Sequence, residues 1–346
     1  MLVTLITILL FVYFWYQTNA IVLEPKRCRY EKRSLLIMCA ILLFQTTFRY
    51  FIVGSDISGY WGQYLEYKSL SISEIIEEQP NYIAYYLISN FFSVIGVSFR
   101  GWLFLLELFY LSAILRIINK YSTDKIFSLF MFYTIGLYSF SHFGLKQTMA
   151  MAFAWHFIVE FTDKKYIRAG ILFTLAYFSH KTALFFLFAP VLYLAEGMKR
   201  RTFFTIAIVV IFILALNAGF FINYFTLQLG DEQYIRYLDD KGDYSLSTFI
   251  FYIILFATAM WGNRKQSFLG SSIFIFSAAL FSVLSQYLSQ YVDDAFRLGL
   301  YYASFLTVYV PNGVRKDKTL SMLIVLFLTV WLLYSSRNLP YRFMWQ

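Results

Sequence analysis

The chain predicts an all-α polytopic membrane protein of about twelve membrane helices, some broken or re-entrant, enclosing an outward-facing cavity. Three observations predict it. Hydrophobic residues make up 60% and charged ones only 14%, where a soluble domain sits nearer half and a quarter. Six short cationic segments recur along the chain: Lys26–Arg33, Arg116–Lys125, Lys164–Arg168, Lys199–Arg201, Arg264–Lys265 and Arg315–Lys318. Most are separated by stretches rich in Phe, Tyr, Leu, Ile and Val, long enough to cross a bilayer, which takes about 20 apolar residues. Lys and Arg collect in cytoplasmic loops, so these segments mark the inside. They hold nineteen of the 29 Lys and Arg residues. The formal charge of +9 therefore reflects topology and gives no footprint for nucleic acid.

With the basic segments inside, the N-terminus lies outside. Residues 2–22 carry no A-x-A-like cleavage site and read as a first span rather than a signal peptide. Further spans follow at 34–52, 101–118, 126–141, 148–162, 169–179, 183–197, 202–222, 247–262, 267–288, 297–312 and 319–336. Two stretches resist simple crossing. Residues 169–197 lie between inside segments but are too short for two full spans. A pair of half-length helices meeting near Ser179-His180-Lys181 resolves this, and such broken elements are tolerated where they line a cavity. Residues 81–97 are apolar enough to insert, yet a crossing there would put Asp56 and Lys146 on opposite faces. They read as a re-entrant or interfacial helix.

The chain reads as one transmembrane domain, 1–346, with outer-face loops at 54–100 and 223–247. It shows no Gly-rich phosphate loop, heptad run, internal repeat or low-complexity linker. Its two cysteines, Cys28 in a basic segment and Cys39 in a span, make neither a disulfide framework nor a CxxC site.

Ionisable groups at span ends are costly unless paired, hydrated or used. Five positions stand out on the outer face: Arg49 ending the second span, Lys146 with Gln147 opening the fifth, His180 with Lys181 at the break, Arg236 in the second loop, and Arg297 opening the eleventh span. Together they can line one pocket for a phosphate or pyrophosphate, because guanidinium and ammonium groups gain most against phosphate when partly dehydrated. Each has a plainer reading. Arg49 and Lys146 can snorkel to headgroups, Arg297 can pair with Asp293 or Asp294, and Arg236 can be an ordinary surface charge. A lone histidine is often a packing residue, as His142 and His156 are expected to be, but His180 has an adjacent lysine and a helix break. Tyr60, Tyr64, Tyr67, Tyr82 and Tyr85 can stack on sugar rings, although interfacial belt aromatics are the default. Glu107 is expected to hydrogen-bond inside the bundle.

Four short motifs occur in order on this face. FRYFIVGSDISGY resembles the Arg-Tyr, Gly-Thr/Ser-Asp, Tyr signature after the second span of EpsG-type membrane proteins, which group with Wzy-like polysaccharide polymerases of bacterial envelopes. EEQPNYIAYYLISNFF is similar to their Glu-rich, Gly-Tyr segment, KQTMA to Arg-Gln-x-x-Ala, and SHKTALFFL to His-Lys-Ser/Thr-Ala. The resemblance covers residues 34–197 and is looser beyond, where Arg297 and Tyr301 match. Lys146 departs from the family's usual arginine, keeping the charge and losing the bidentate fork.

The resemblance implies a GT-C-like glycosyltransferase in the bacterial cytoplasmic membrane, its active site facing the periplasm or exterior. Such an enzyme joins oligosaccharide repeat units carried on undecaprenyl diphosphate into a surface polysaccharide, with chain-length regulators and flippases as expected protein partners. Arg49, His180 and Asp56 are the implied catalytic residues. His180 is the first candidate to position or deprotonate the acceptor hydroxyl, with Asp56 second. Arg297, Lys146, Gln147, Lys181, Arg236, Tyr60 and Tyr301 are the implied pyrophosphate and sugar ligands. No cofactor or metal is expected, although Asp239-Asp240 and Asp293-Asp294 leave a divalent cation open. A ligase with the same lipid-pyrophosphate pocket is the nearest rival. A non-enzymatic flippase or transporter is a more distant one, since internal pseudo-repeats are not found.

Overall fold

The computed structural model describes residues 2–21, 23–49, 56–198, 202, 245–263, 272–289 and 295–335, and its regular elements are all helical. In chain order they are α1 (Leu2–Ala20), α2 (Glu24–Phe48), α3 (Ile57–Glu66), α4 (Ile72–Glu78), α5 (Ile83–Val94), α6 (Phe99–Tyr121), α7 (Lys125–Thr134), α8 (Leu137–Phe140), α9 (Leu145–Thr162), α10 (Tyr166–Ser179), α11 (Phe188–Leu194), α12 (Leu246–Asn263), α13 (Ile273–Leu288), α14 (Ala295–Val314) and α15 (Lys318–Ser335). Four are long and apolar enough to cross a membrane, namely α1, α6, α12 and α15, with shorter apolar helices in α5, α10 and α13. This is the architecture of a polytopic membrane protein. All but the first residue of the expected span 202–222 and most of the loop 223–247, with Arg236 and Asp239-Asp240, lie outside the described residues, as do Asp293 and Asp294.

The helices begin where short polar side chains satisfy first-turn N–H groups. Ser98 accepts from Gly101 N–H at 3.2 Å to start α6. Asp124 accepts from Phe127 N–H at 3.2 Å to start α7, and Ser71 with Glu74 forms a capping box on α4. Two helices end in the same hydrogen-bonded motif, with different residues in its left-handed position. After α5 it is Gly96 (φ 87), with Val97 N–H reaching Phe92 O at 3.0 Å. After α9 it is Lys164 (φ 61), with Lys165 N–H reaching Glu160 O at 2.9 Å.

Polar contacts define two poles of the bundle. At one, Lys125 faces Glu31 (3.7 Å), Arg116 pairs with Glu160 (2.5 Å), Lys120 pairs with Asp163, and Asn312 Nδ2 donates to Tyr121 O (2.8 Å). His156 belongs to this pole as a packing residue, stacked on Phe109 and bonded to Ser112 and Arg116. The opposite pole carries the α2 C-terminus, the α5–α6 and α8–α9 junctions, the α10 C-terminus and the α14 N-terminus. The described inside segments, at 26–33, 116–125, 164–168 and 315–318, thus share one end of the molecule, and Arg49, Lys146, His180 and Arg297 share the other.

Two expectations about elements change. The cationic stretch 26–33 is helical, forming the first turns of α2 rather than a separate loop, because Pro25 opens the helix at its first turn. The span 126–141 is broken: Gly136 adopts φ 95 and separates α7 from α8, so the chain has a second broken element beside the expected one. Residues 81–97 keep the expected non-crossing form: they hold α5, whose 12 residues cover about 18 Å, too short to cross. Its two ends lie at the same pole, since Tyr82 meets His180 and Val97 O accepts from Tyr64 Oη at 2.8 Å. The break near His180 matches expectation: α10 stops at Ser179, His180 is extended (φ −162, ψ 121), and a 3-10 turn over Lys181–Leu187 follows.

The main core joins α1, α2, α6, α7, α9, α10 and α12–α15. A second core gathers Ile57, Tyr64, Tyr67, Ile75, Tyr85 and Tyr86 against Phe99, Trp102, Leu103 and Leu106 of α6 and Leu145 and Met149 of α9. The first outer loop is therefore a folded cap with its own apolar contacts. Tyr64, Tyr67 and Tyr85 are buried there, which replaces the belt reading for those three residues.

Candidate functional site

The cap brings α5 over the start of α9. Lys146, the second residue of α9, is half-buried, and its Nζ lies 4.1 Å from the Tyr82 ring centroid, 4.9 Å from Tyr86 and 5.7 Å from Tyr60. Three rings within about 6 Å form a cation–π cage. Tyr86 is fixed in turn by donating its hydroxyl to Gln63 Oε1 at 2.9 Å. Tyr60 Oη meets the backbone N–H of Lys146, and burial, reinforced by Asp56, holds its phenol above the ordinary value. Tyr60 therefore stays protonated.

Tyr82 also contacts the His180 ring, with centroids 5.5 Å apart. His180 sits at the junction between α10 and the 3-10 turn and is 6% exposed. Burial first, then the Arg297 and Lys146 charges, push its imidazole down to about 3, so the ring is neutral near pH 7. On its far side Thr182 Oγ1 lies 2.6 Å from His180 Nδ1 and 3.1 Å from Tyr301 Oη. Tyr301 is fully buried, and its carbonyl accepts from Trp155 Nε1 at 2.8 Å. It reaches the site through Thr182.

Arg297 lies in the first turn of α14. Its carbonyl accepts from Gln147 Nε2 at 2.8 Å, which ties α9 to α14. The N-termini of α9 and α14 are thereby held side by side, and helix N-termini favour anions through their free N–H groups and dipole. Lys181 follows His180 and is half-buried, while Asp56 is exposed immediately before α3, one turn from Tyr60.

Arg49 belongs to a neighbouring group. It is fully buried at the end of α2, and its charge acts on Glu107 of α6 and on His142. His142 lies 3.3 Å from Thr46 Oγ1 and packs edge-on against Tyr138. Glu107 faces Ser141, inside the bundle as expected. The segment 141–147 joins the two groups, with His142 toward Arg49 and Lys146 in the cage. His142, expected only to pack, is thus part of Arg49's surroundings.

The structure therefore brings together Lys146, Gln147, His180, Arg297, Tyr60 and Tyr301, sets Arg49 beside them in its own buried group, and leaves Arg236 undescribed. Sequence reasoning missed Tyr86, because nothing in α5 marks which tyrosine faces Lys146. It also passed over Thr182, although that residue stands inside the SHKTALFFL motif. Among the described residues no group of three His, Cys, Asp or Glu side chains is placed to hold a metal ion. An apolar groove of about 520 Å³ between α1 and α2, lined by Val3, Leu10, Ile37, Phe44 and Gln45 among others, contains no charged group.

Motif order and this clustered cationic pole agree with one comparison: the model of the EpsG family matches residues 32–343. The chain belongs to the EpsG family. That family is associated with glycosyltransferase-like polysaccharide polymerases. No curated protein and no solved structure matches it.

Proposed function

We propose that this EpsG-family protein polymerises undecaprenyl-diphosphate-linked oligosaccharide repeat units on the outer face of the cytoplasmic membrane. The observation that carries the reading is the grouping of Lys146, His180 and Arg297 under an aromatic cap, beside two helix N-termini. As the glycosidic bond to the carrier breaks, its electron pair moves to the pyrophosphate. Arg297, Lys146 and Arg49 stabilise that growing negative charge, and preorganised donors of this kind are worth several kcal/mol in a water-poor site. No residue of this set requires a metal for that task. Asp56 positions the acceptor hydroxyl, His180 stands beside the cations at the reaction centre, Tyr60 and Tyr82 offer ring faces to the sugars, and Lys181 and Gln147 complete the polar lining. The inverting course is the one expected, by resemblance to the family.

The test is a glycan-ladder assay in a deletion strain complemented with this chain. Wild type restores a ladder of lengths, and Arg297→Ala or His180→Ala leaves single repeat units on the carrier. Loss of all exported lipid-linked sugar would favour a flippase instead. Transfer of single units to a different acceptor would favour a ligase.

A further inference from the structure

The hydrogen bonds at the His180 junction bear on which ring nitrogen carries the proton. His180 Nδ1 receives two contacts from Thr182: the hydroxyl at 2.6 Å and the backbone N–H at 3.4 Å. The hydroxyl can donate or accept, but the backbone N–H can only donate. Nδ1 must therefore present its lone pair. A proton on Nδ1 would point at the Thr182 N–H proton. With Nδ1 as acceptor and the ring neutral, the remaining proton sits on Nε2.

The Thr182 hydroxyl then donates to His180 Nδ1, and the Tyr301 hydroxyl, 3.1 Å behind it, donates to Thr182 Oγ1. This chain runs in one direction, from buried phenol to hydroxyl to imidazole, and each donor fixes the orientation of the next. Trp155 Nε1 holds the Tyr301 carbonyl at 2.8 Å, and Phe186 packs on its ring. Arg297 and Lys146, the cations whose charges reach His180, further disfavour a positive imidazolium.

We infer that His180 serves as a neutral Nε2–H hydrogen-bond donor to the departing pyrophosphate, and that Thr182 and Tyr301 are positioning residues that lock this tautomer. The inference rests on the proposed glycosyl transfer for its substrate, whereas the tautomer stands on geometry alone. The transfer balances with His180 unchanged. The acceptor oxygen bonds to the anomeric carbon, and the carbon–oxygen bond to the carrier breaks with its electron pair leaving on the pyrophosphate. The hydroxyl proton passes to the Asp56 carboxylate, the remaining base of the proposed set. His180 lends its Nε2–H to the leaving oxygen and keeps the proton. This assigns the donor role to His180 and the base role to Asp56.

Two measurements test it on the full-length protein. The chain has three histidines, so ¹⁵N-histidine spectra of the membrane-reconstituted wild type contain few signals, and His180→Gln identifies the one lost. A protonated Nε2 with an unprotonated Nδ1 is expected at neutral pH, and a protonated Nδ1 overturns the assignment. In polymerisation assays, glutamine places an amide N–H near the Nε2 position, whereas alanine supplies no donor. Removing one preorganised donor costs about 10²–10³-fold, so His180→Ala should fall by that much and His180→Gln should retain about a tenth of wild-type rate. If His180→Gln is as inactive as His180→Ala while still inserted, the donor role is refuted. Thr182→Val should lower kcat with little change in KM and disturb the His180 ¹⁵N signal, and Thr182→Ser should restore both. Unchanged signals in Thr182→Val remove its positioning role. Finding the expected tautomer in a wild type that makes no polymer from lipid-linked units would retire the polymerase reading and leave the proton assignment intact.

Discussion

Arg297 is carried on α14, which packs very closely on α13, and that closeness depends on Gly299. A Cβ at Gly299 would lie 1.9 Å from Ser285 Oγ, 2.9 Å from Ser285 Cβ and 3.3 Å from Ser282 O. Rotating Ser285 can remove the first clash, at the expense of its bonds to Phe281 O and Ser282 O, both 3.0 Å. It cannot remove the second, since carbon atoms sit about 3.5–4.0 Å apart at contact. The helices must therefore separate by about 1 Å, and overpacking of this kind costs about 1–3 kcal/mol. Arg297 lies two residues away, and its carbonyl is held by Gln147 at 2.8 Å. A displacement of about 1 Å at a reacting site can cost about 10²-fold in rate. Gly299→Ala should thus lower the apparent melting temperature in detergent and shorten the polymer, and Ser285→Gly in the same chain should restore much of both. Gly59→Ala, where a Cβ meets nothing within 4 Å, is the control and should behave as wild type. Wild-type stability and activity in Gly299→Ala would refute the packing argument and its link to Arg297.

Three further predictions concern separate features. Tyr82→Leu removes the ring 4.1 Å from Lys146 Nζ and should weaken lipid-pyrophosphate binding by about 1–2 kcal/mol, seen in KM, while Tyr82→Phe keeps the ring and most of the affinity; equal effects from both would reduce the cage to packing. Lys164→Gly should raise thermal stability by about 0.5–1 kcal/mol, because Lys164 holds the left-handed position (φ 61) that glycine adopts without strain, and a loss of stability would contradict this. Acidification should destabilise wild type more than His180→Gln: the imidazole is held near 3 when folded and near 6.5 when unfolded, so its stabilising contribution is complete above about 6.5 and is lost progressively as pH falls toward 3, reaching about 2–3 kcal/mol at pH 4.5. Parallel melting curves for the two proteins between pH 7.5 and 4.5 would show that His180 is not buried neutral.

How much of this was legible in the residues depends on the range of the interaction. The cationic segments and the break at Ser179-His180-Lys181 are local signals, and the two poles and the end of α10 follow from them. Residues 81–97 were also legible as non-crossing, because Asp56 and Lys146 had to share a face. The break at Gly136 was not: one glycine inside FYTIGLYSF does not reveal φ 95 without the packing that selects it. Helix α2 extends through its basic stretch because Lys and Arg are good helix formers, so charge marks a side of the membrane without marking a loop. The cage was hidden for a different reason. Tyr82 and Tyr86 are four residues apart and share a helix face, yet only the tertiary docking of α5 shows that this face covers Lys146. Likewise the direction of the His180–Thr182–Tyr301 chain depends on the backbone turn after His180, which no residue spacing encodes.

The most direct measurement of the central claim uses the purified protein in liposomes with a defined undecaprenyl-diphosphate-linked repeat unit as the sole substrate. Products of two or more units, with one undecaprenyl diphosphate released per bond formed and the release abolished by Arg297→Ala, are the predicted result. Repeat units that cross the bilayer or pass to another acceptor while none are joined to each other would contradict it.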